Sequence, residues 1–246
     1  RNTLNRGVFP SDGSSQRASV SVTTPNSDVQ YFKSTIDTKF YFPLTRNQRW
    51  TVLARARLGY GNGYGDVDGV EQMLPFTENF TAGGSDTLRG FENNTVGPRG
   101  IQRISQGTIT TPDGTVIPGL PINDTLFSSR RSLGGNALAL AGLELIVPTP
   151  FIETEFDKSV RTSLFFDVGN VWDTEFDYDE FKDLSLSATS DELLDYSDWK
   201  LFRSSAGLSV QWISPMGPMV FSFSKAVKQR AGDDAKFFTF NIGQTF

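Results

Sequence analysis

Val29-Gln30-Tyr31-Phe32-Lys33-Ser34-Thr35-Ile36-Asp37-Thr38-Lys39-Phe40-Tyr41-Phe42 is the stretch on which the fold turns. Phe32, Ile36, Phe40 and Phe42 share one parity; Lys33, Thr35, Asp37 and Lys39 share the other. Successive side chains of a strand point to opposite faces, so the pattern predicts a strand with one apolar and one charged face. The run is also much longer than the ~5–6 residues usual for strands of soluble domains.

The same period extends in both directions. Before it, Gln16–Thr24 sets Ala18, Val20 and Val22 against Arg17, Ser19, Ser21 and Thr23. After it, Arg49–Tyr60 sets Trp50, Val52, Ala54, Ala56, Leu58 and Tyr60 against Arg55 and Arg57. Gly135–Val147 sets Ala137, Ala139, Ala141, Leu143, Leu145 and Val147 against Asn136, Gly142 and Glu144. Val160–Trp172 sets Leu164, Phe166, Val168 and Trp172 against Arg161, Ser163 and Asp167. Phe202–Ser214 sets Ala206, Leu208, Val210 and Trp212 against Arg203, Ser205, Ser209 and Gln211. Pro218–Ala226 contributes Met219, Phe221 and Phe223, and Lys236–Phe246 contributes Phe238, Phe240, Ile242 and Phe246.

Aromatics gather near strand ends, as Trp50, Tyr60, Trp172, Trp212 and Phe246 do. That distribution fits the aromatic girdles of a barrel crossing two water–lipid interfaces. An antiparallel sandwich is the competing architecture, but its inward faces would rarely carry so many charges. Mean hydropathy is −0.29, and no stretch approaches the ~18 apolar residues of a membrane helix. A barrel strand needs only ~10 alternating residues, so low hydropathy is compatible with spanning. The expected fold class is therefore all-β: an antiparallel transmembrane β-barrel with about eight strands in this chain.

Connections alternate in length. Phe9-Pro10-Ser11-Asp12-Gly13, Pro43–Gln48 and Ser214-Pro215-Met216-Gly217-Pro218 are compact turns marked by proline. Residues 61–132 and 173–201 are far longer. Short turns on one side and long loops on the other is the outer-membrane arrangement, with long loops extracellular and short turns and C-terminus periplasmic. Arg1-Asn2-Thr3-Leu4 lacks the apolar core of an export signal, so a mature segment or a fragment of a longer chain is expected.

The chain has no His and no Cys, which excludes Ser-His and Cys-His catalysis and thiolate metal sites. Net charge is −5, giving no global basic field for nucleic acid. The glycine-rich run Gly59–Gly69 lacks the Lys-Ser/Thr and helix of a phosphate loop. Asp66 and Asp68 alone do not make a calcium loop. Asp173–Asp198 is strongly acidic, with Lys182 its one basic residue, and reads as a solvated outer loop. No catalytic residue, metal or cofactor is expected.

Within the long loop stand Met73-Leu74-Pro75-Phe76, Phe80-Thr81-Ala82-Gly83-Gly84 and Leu88-Arg89-Gly90-Phe91. Together with Asn5-Arg6-Gly7-Val8-Phe9-Pro10, Pro148-Thr149-Pro150-Phe151 and Phe240-Asn241-Ile242-Gly243, these blocks resemble, in order, the BamA family of outer-membrane barrel assembly factors. Leu88 stands where that family's Val-Arg-Gly-Phe/Tyr element carries valine.

The resemblance covers essentially the whole chain. It implies the C-terminal half of a parent barrel of roughly sixteen strands, an even number within the outer-membrane range. The N-terminal barrel strands and periplasmic POTRA domains would lie outside residues 1–246. It implies assembly and insertion of β-barrel proteins through a loosened seam between first and last strands. The implied partners are nascent outer-membrane barrel proteins, outer-membrane lipid and lipopolysaccharide, and accessory lipoproteins reached mainly through the POTRA domains. A polypeptide-secreting or diffusion pore is the alternative.

A guanidinium inside a barrel needs planar anionic partners, and Glu144 and Asp167 share the polar parity. The residues themselves leave two readings: Arg89 bridges both carboxylates, or it is a solvated loop arginine beside pore-lining acids. The resemblance favours the first, a loop-to-lumen lock made of Leu88, Arg89, Gly90, Phe91, Glu144 and Asp167, with residues 61–132 folded inward. Gly90 would allow a tight turn or close approach to the wall. Phe238, Phe240, Ile242, Gly243 and Phe246 form the expected C-terminal seam strand, whose amphipathic edge suits strand addition. Because unpaired edges are costly in lipid, the sequence reading also expects Gln16–Thr24 to pair with Lys236–Phe246 and close a small barrel. Whether the Arg89 loop then stays inside is left open.

Overall fold

The computed structural model describes residues 1–67, 69–104, 108–110, 116–118, 125–149, 159–176, 198–230 and 232–242. Eight strands form one antiparallel sheet in chain order: β1 (Gly13–Val22), β2 (Tyr31–Pro43), β3 (Thr51–Gly63), β4 (Ala137–Val147), β5 (Val160–Trp172), β6 (Arg203–Ser214), β7 (Gly217–Lys228) and β8 (Phe238–Ile242). Each expected segment overlaps one of these strands, and β5 has the expected bounds. β1 begins earlier than Gln16, and β8 starts two residues after Lys236.

The register carries the alternation across the sheet. Ile36 lies opposite Ala18 on β1 and Leu58 on β3; Leu164 lies opposite Leu145 on β4 and Leu208 on β6. On this face Val20, Ile36, Leu58, Leu143, Leu164, Phe166 and Phe240 are exposed. A soluble monomer rarely leaves so continuous an apolar surface to water, whereas the lipid-facing band of a barrel must. The opposite, inner face carries Arg55, Glu144, Asp167, Ser205 and Ser209, and most of these are buried. The fold is an outer-membrane β-barrel fold, as expected.

What buries the inner face is the connection between β3 and β4. Phe80, Ala82, Leu88, Phe91 and Val96 of this connection pack with Leu138 and Leu140 of β4 and Val171 of β5. Full burial of each large apolar side chain contributes roughly 1.5–3 kcal/mol. A smaller apolar cluster, Tyr41, Leu53 and Ile146 with Leu4 against it, lies toward the opposite strand ends. Leu138, Leu140 and Ile146 thus occupy the parity that sequence alternation marks as polar. They are apolar because they face packed side chains rather than water: Leu138 and Leu140 meet the loop, and Ile146 meets Tyr41, Leu53 and Leu4.

One expectation fails. β1 and β8 are the two edges of the sheet, and the expected pairing of Gln16–Thr24 with Lys236–Phe246 does not form among the described residues. Two features account for this. The free edge of β1 is partly taken by the chain's own N-terminal segment: Asn2 bridges Ser15, the Thr3 amide donates to the Ser14 carbonyl (2.8 Å), and the Gln16 amide donates to the Arg1 carbonyl (2.8 Å). That return is held across the sheet by Arg161, which donates to the Pro10 carbonyl (2.7 Å) and lies over the Phe9 ring. In addition, an eight-stranded barrel has an interior only wide enough for its own side chains. Closure would displace the buried loop and forfeit its apolar cluster.

Candidate functional site: a loop arginine on the inner wall

Arg89 is fully buried. Its Nε and Nη2 donate to the two carboxylate oxygens of Asp167 on β5 at 2.7 and 3.0 Å. Its Nη1 donates to Glu144 on β4 at 3.1 Å. The Asp167 contact is a two-point fork, which only a guanidinium makes. The Arg89 Cζ also sits 3.6 Å from the Phe165 ring centroid. Burial works against the arginine's charge, but Glu144 and Asp167 more than offset it, so its pKa stays above the ordinary arginine value.

The sequence supplies this arrangement through register. Asp167 and Glu144 are on different strands, yet Gly142 pairs with Asp167 and Glu144 with Phe165. Both acids therefore reach the same patch of the inner wall. Gly142 also pairs with Arg55 on β3. With no side chain at Gly142, Arg55 reaches over it to donate to Asp167 at 2.9 Å. A Cβ there would stand 2.6 Å from an Asp167 oxygen and 2.8 Å from the Arg55 Nε.

Remaining valences are satisfied locally. The Ser163 hydroxyl donates to Glu144, and the Ser205 hydroxyl donates to the Arg89 carbonyl. Gly90 follows with φ +89, and a Cβ on it would lie 2.9 Å from the Ser205 Cβ. So Gly90 both adopts a left-handed turn and touches the wall. Gly90→Ala should strain the turn and push the loop off Ser205, at a cost of about 1–3 kcal/mol. Faster protease cleavage within residues 64–136, with the barrel's gel mobility unchanged, is the expected readout. Leu88 and Phe91 point into the apolar cluster, so the four-residue element alternates between polar anchoring and core packing.

Arg55, Ser163, Phe165 and Ser205 were not singled out as site residues from the sequence. Parity places all four on the inner wall, but only the register places them beside Arg89. The last strand behaves differently from the anchor. Phe238, Phe240 and Ile242 are exposed on the apolar face, and the ladder to β7 spans Phe238 to Ile242. Gly243 and Phe246 lie outside the described residues, as does most of the acidic segment within 173–198. Glu92, just after the element, pairs with Lys236 at 2.9 Å, and that hydrogen bond holds its carboxyl below the usual carboxylate range.

Known proteins resemble this chain along most or all of its length. The chain is 30% identical over its full length to the C-terminal part of the outer membrane protein assembly factor BamA of Neisseria meningitidis, covering 28% of that protein. It is 26% identical over 89% of its length to BamA of Nitratidesulfovibrio vulgaris, covering 21% of that protein. The crystal structure of BamA from Haemophilus ducreyi lacking POTRA domains 1–3 superposes with a TM-score of 0.76 at 35% identity. The superposition covers 97% of this chain and 40% of that one. The chain thus spans well under half the length of these relatives. Residues 1–246 match the Omp85 superfamily domain in full, and the chain belongs to that superfamily.

Proposed function

We propose that this chain is the C-terminal barrel portion of an assembly factor that folds β-barrel proteins into the bacterial outer membrane. The observation that carries the reading is the buried arginine that holds the long loop to the inner wall of a sheet whose outer face is apolar. A last strand with an amphipathic edge suits strand addition, which supplies backbone hydrogen bonds that lipid cannot. The relatives named as assembly factors match across the full chain, which supports the same activity here.

In this reading, Arg89, Glu144 and Asp167 lock the loop, with Leu88, Gly90 and Phe91 seating it. Phe238, Phe240 and Ile242, with Gly243 and Phe246 beyond them, present the seam strand. The ends of β3 and β5 that lead into the long connections face the cell exterior, and the β6–β7 hairpin faces the periplasm. Nascent barrel proteins are the substrates; outer-membrane lipid, lipopolysaccharide and accessory lipoproteins are partners of the complete protein.

The test is reconstitution of the complete protein containing this segment into lipid vesicles, followed by a gel-shift assay of an unfolded eight-stranded client. Faster client folding than in empty vesicles is expected, with little ion conductance. Conductance without faster folding would overturn the reading in favour of a secretion or diffusion pore.

A further inference from the structure

A second buried arginine is not accounted for by the loop anchor. Arg203, at the start of β6, grips Asp233 with a fork of its own: Nε to Oδ2 at 2.9 Å and Nη2 to Oδ1 at 3.1 Å. Its Nη1 donates to Asn170 on β5 at 2.8 Å and to the Leu201 carbonyl at 3.1 Å. The two charged side chains are 1% and 0% exposed. Asp233 also accepts from the Arg230 amide at 2.8 Å. A pair this dry costs much desolvation, so its value lies in fixing a position rather than in adding stability.

The position it fixes is the approach to the last strand. β7 pairs with β6 from Gly217 to Lys228, but with β8 only from Met219 to Phe223. One further contact, at Ser224, whose amide donates to the Phe237 carbonyl (2.8 Å) and whose hydroxyl donates to the Lys236 carbonyl (3.2 Å), ends the pairing, and the segment before it leaves β7. It crosses to the loop: Phe91 bridges Ala235, the Lys236 amide donates to the Gly90 carbonyl (3.0 Å), and the Glu92 amide donates to the Asp234 carbonyl (2.7 Å). The Lys236–Glu92 ion pair lies beside these bonds, and farther along β8 Asn241 donates to Ser85 at 3.0 Å. The loop residues that receive this segment are the neighbours of Arg89.

We propose that residues 232–236 are a strap that makes the anchored loop and the last strand one mechanical unit, with Arg203 and Asp233 as its positioning residues. The Arg203–Asp233 clamp sets the strap on β5 and β6, and the strap hands the last strand to the Gly90–Glu92 segment. Loosening the clamp therefore frees the last strand from the loop even with Arg89 in place. Its bearing on insertion rests on the assembly-factor reading: a client pairing with the last strand would meet an edge held from behind by the loop.

The chain has no cysteine, so introduced pairs report cleanly. In the complete protein in lipid, Ser85→Cys with Asn241→Cys should form a disulfide readily. Adding Asp233→Asn should slow its formation at least about fivefold, the low end of typical coupling between sites. Arg203→Lys, which keeps the charge but loses the fork, should fall between. Heat-modifiable gel mobility selects folded protein in every case. A staple tests cause: the Phe91–Ala235 bridge puts Glu92 and Asp234 directly opposite, at the ~5.5 Å Cα separation that suits a disulfide. In the Asp233→Asn protein, Glu92→Cys with Asp234→Cys should restore client folding when oxidised and lose it again on reduction, which a defect of stability alone would not do. Unchanged Ser85–Asn241 cross-linking in folded Asp233→Asn and Arg203→Lys proteins would overturn the strap. That measurement is independent of client folding, so a protein that inserts nothing would defeat the assembly reading without deciding this one.

Discussion

Arg89→Ala should release the long loop from the inner wall while leaving the β-sheet assembled. The substitution removes the fork on Asp167, the bond to Glu144 and the stacking on Phe165. The two acids are then affected unequally. Asp167 keeps Arg55 at 2.9 Å. Glu144 keeps the Ser163 hydroxyl but loses its arginine in a place only 2% exposed. Breaking one side of a buried ion pair typically costs ~3–5 kcal/mol, because the survivor stays charged and dry. Glu144 is the survivor, so adding Glu144→Gln to Arg89→Ala should recover part of the loss. Arg89→Lys should not substitute well, since an ammonium cannot fork Asp167 and reach Glu144 together. Limited proteolysis of residues 64–136 in the complete protein, compared with its heat-modifiable gel mobility, measures both effects. Equal loop protection in Arg89→Ala and parent would refute the anchor.

The second large effect separates two neighbouring residues. Ile36→Arg should impair folding into lipid by ~2–4 kcal/mol at mid-depth, and Leu58→Arg, Leu143→Arg, Phe40→Arg and Leu208→Arg should act likewise. Ile36 is 48% exposed on the apolar face, with Ala18 and Leu58 on either side. Thr35→Arg should be mild. Thr35 is half-buried on the inner face, meets the Ser19 hydroxyl, and shares that polar face with Asp37, which pairs with Arg57. Inner-face parity alone is not enough for tolerance. Ser209 has the same parity but is fully buried against Ser222, so Ser209→Arg should also fail, for lack of room. Urea-unfolding midpoints in vesicles give the comparison. Equal penalties at Thr35 and Ile36 would mean that the two faces do not differ and that the apolar band does not meet lipid.

The eight-strand pattern, the two faces and the division into short and long connections were legible in the sequence. Each follows from local chemistry: period-two alternation is a property of the strand itself, and proline-marked turns are a property of a few adjacent residues. The three charged residues of the anchor were legible too, because a loop arginine and two inner-parity carboxylates are chemically complementary. Their meeting was left open by the residues themselves and favoured only by the family resemblance. Register is set by pairing over the whole sheet, and it alone brings Gly142 beside Asp167 and so opens the path for Arg55. Leu138 and Leu140 sit on the parity that reads as polar, because a folded-in loop replaced water on that face, and Ile146 does so because it packs with Tyr41, Leu53 and Leu4. Closure failed for a related reason: the edge of β1 is met by Arg1–Thr3, and the interior is filled by the loop. Arg203 and Asp233 lie thirty residues apart and form a dry pair only because the segment before β8 leaves β7 and crosses to the loop. Local alternation determined which face each side chain takes; the competition between strand pairing and loop burial, a property of the folded whole, decided what each face meets.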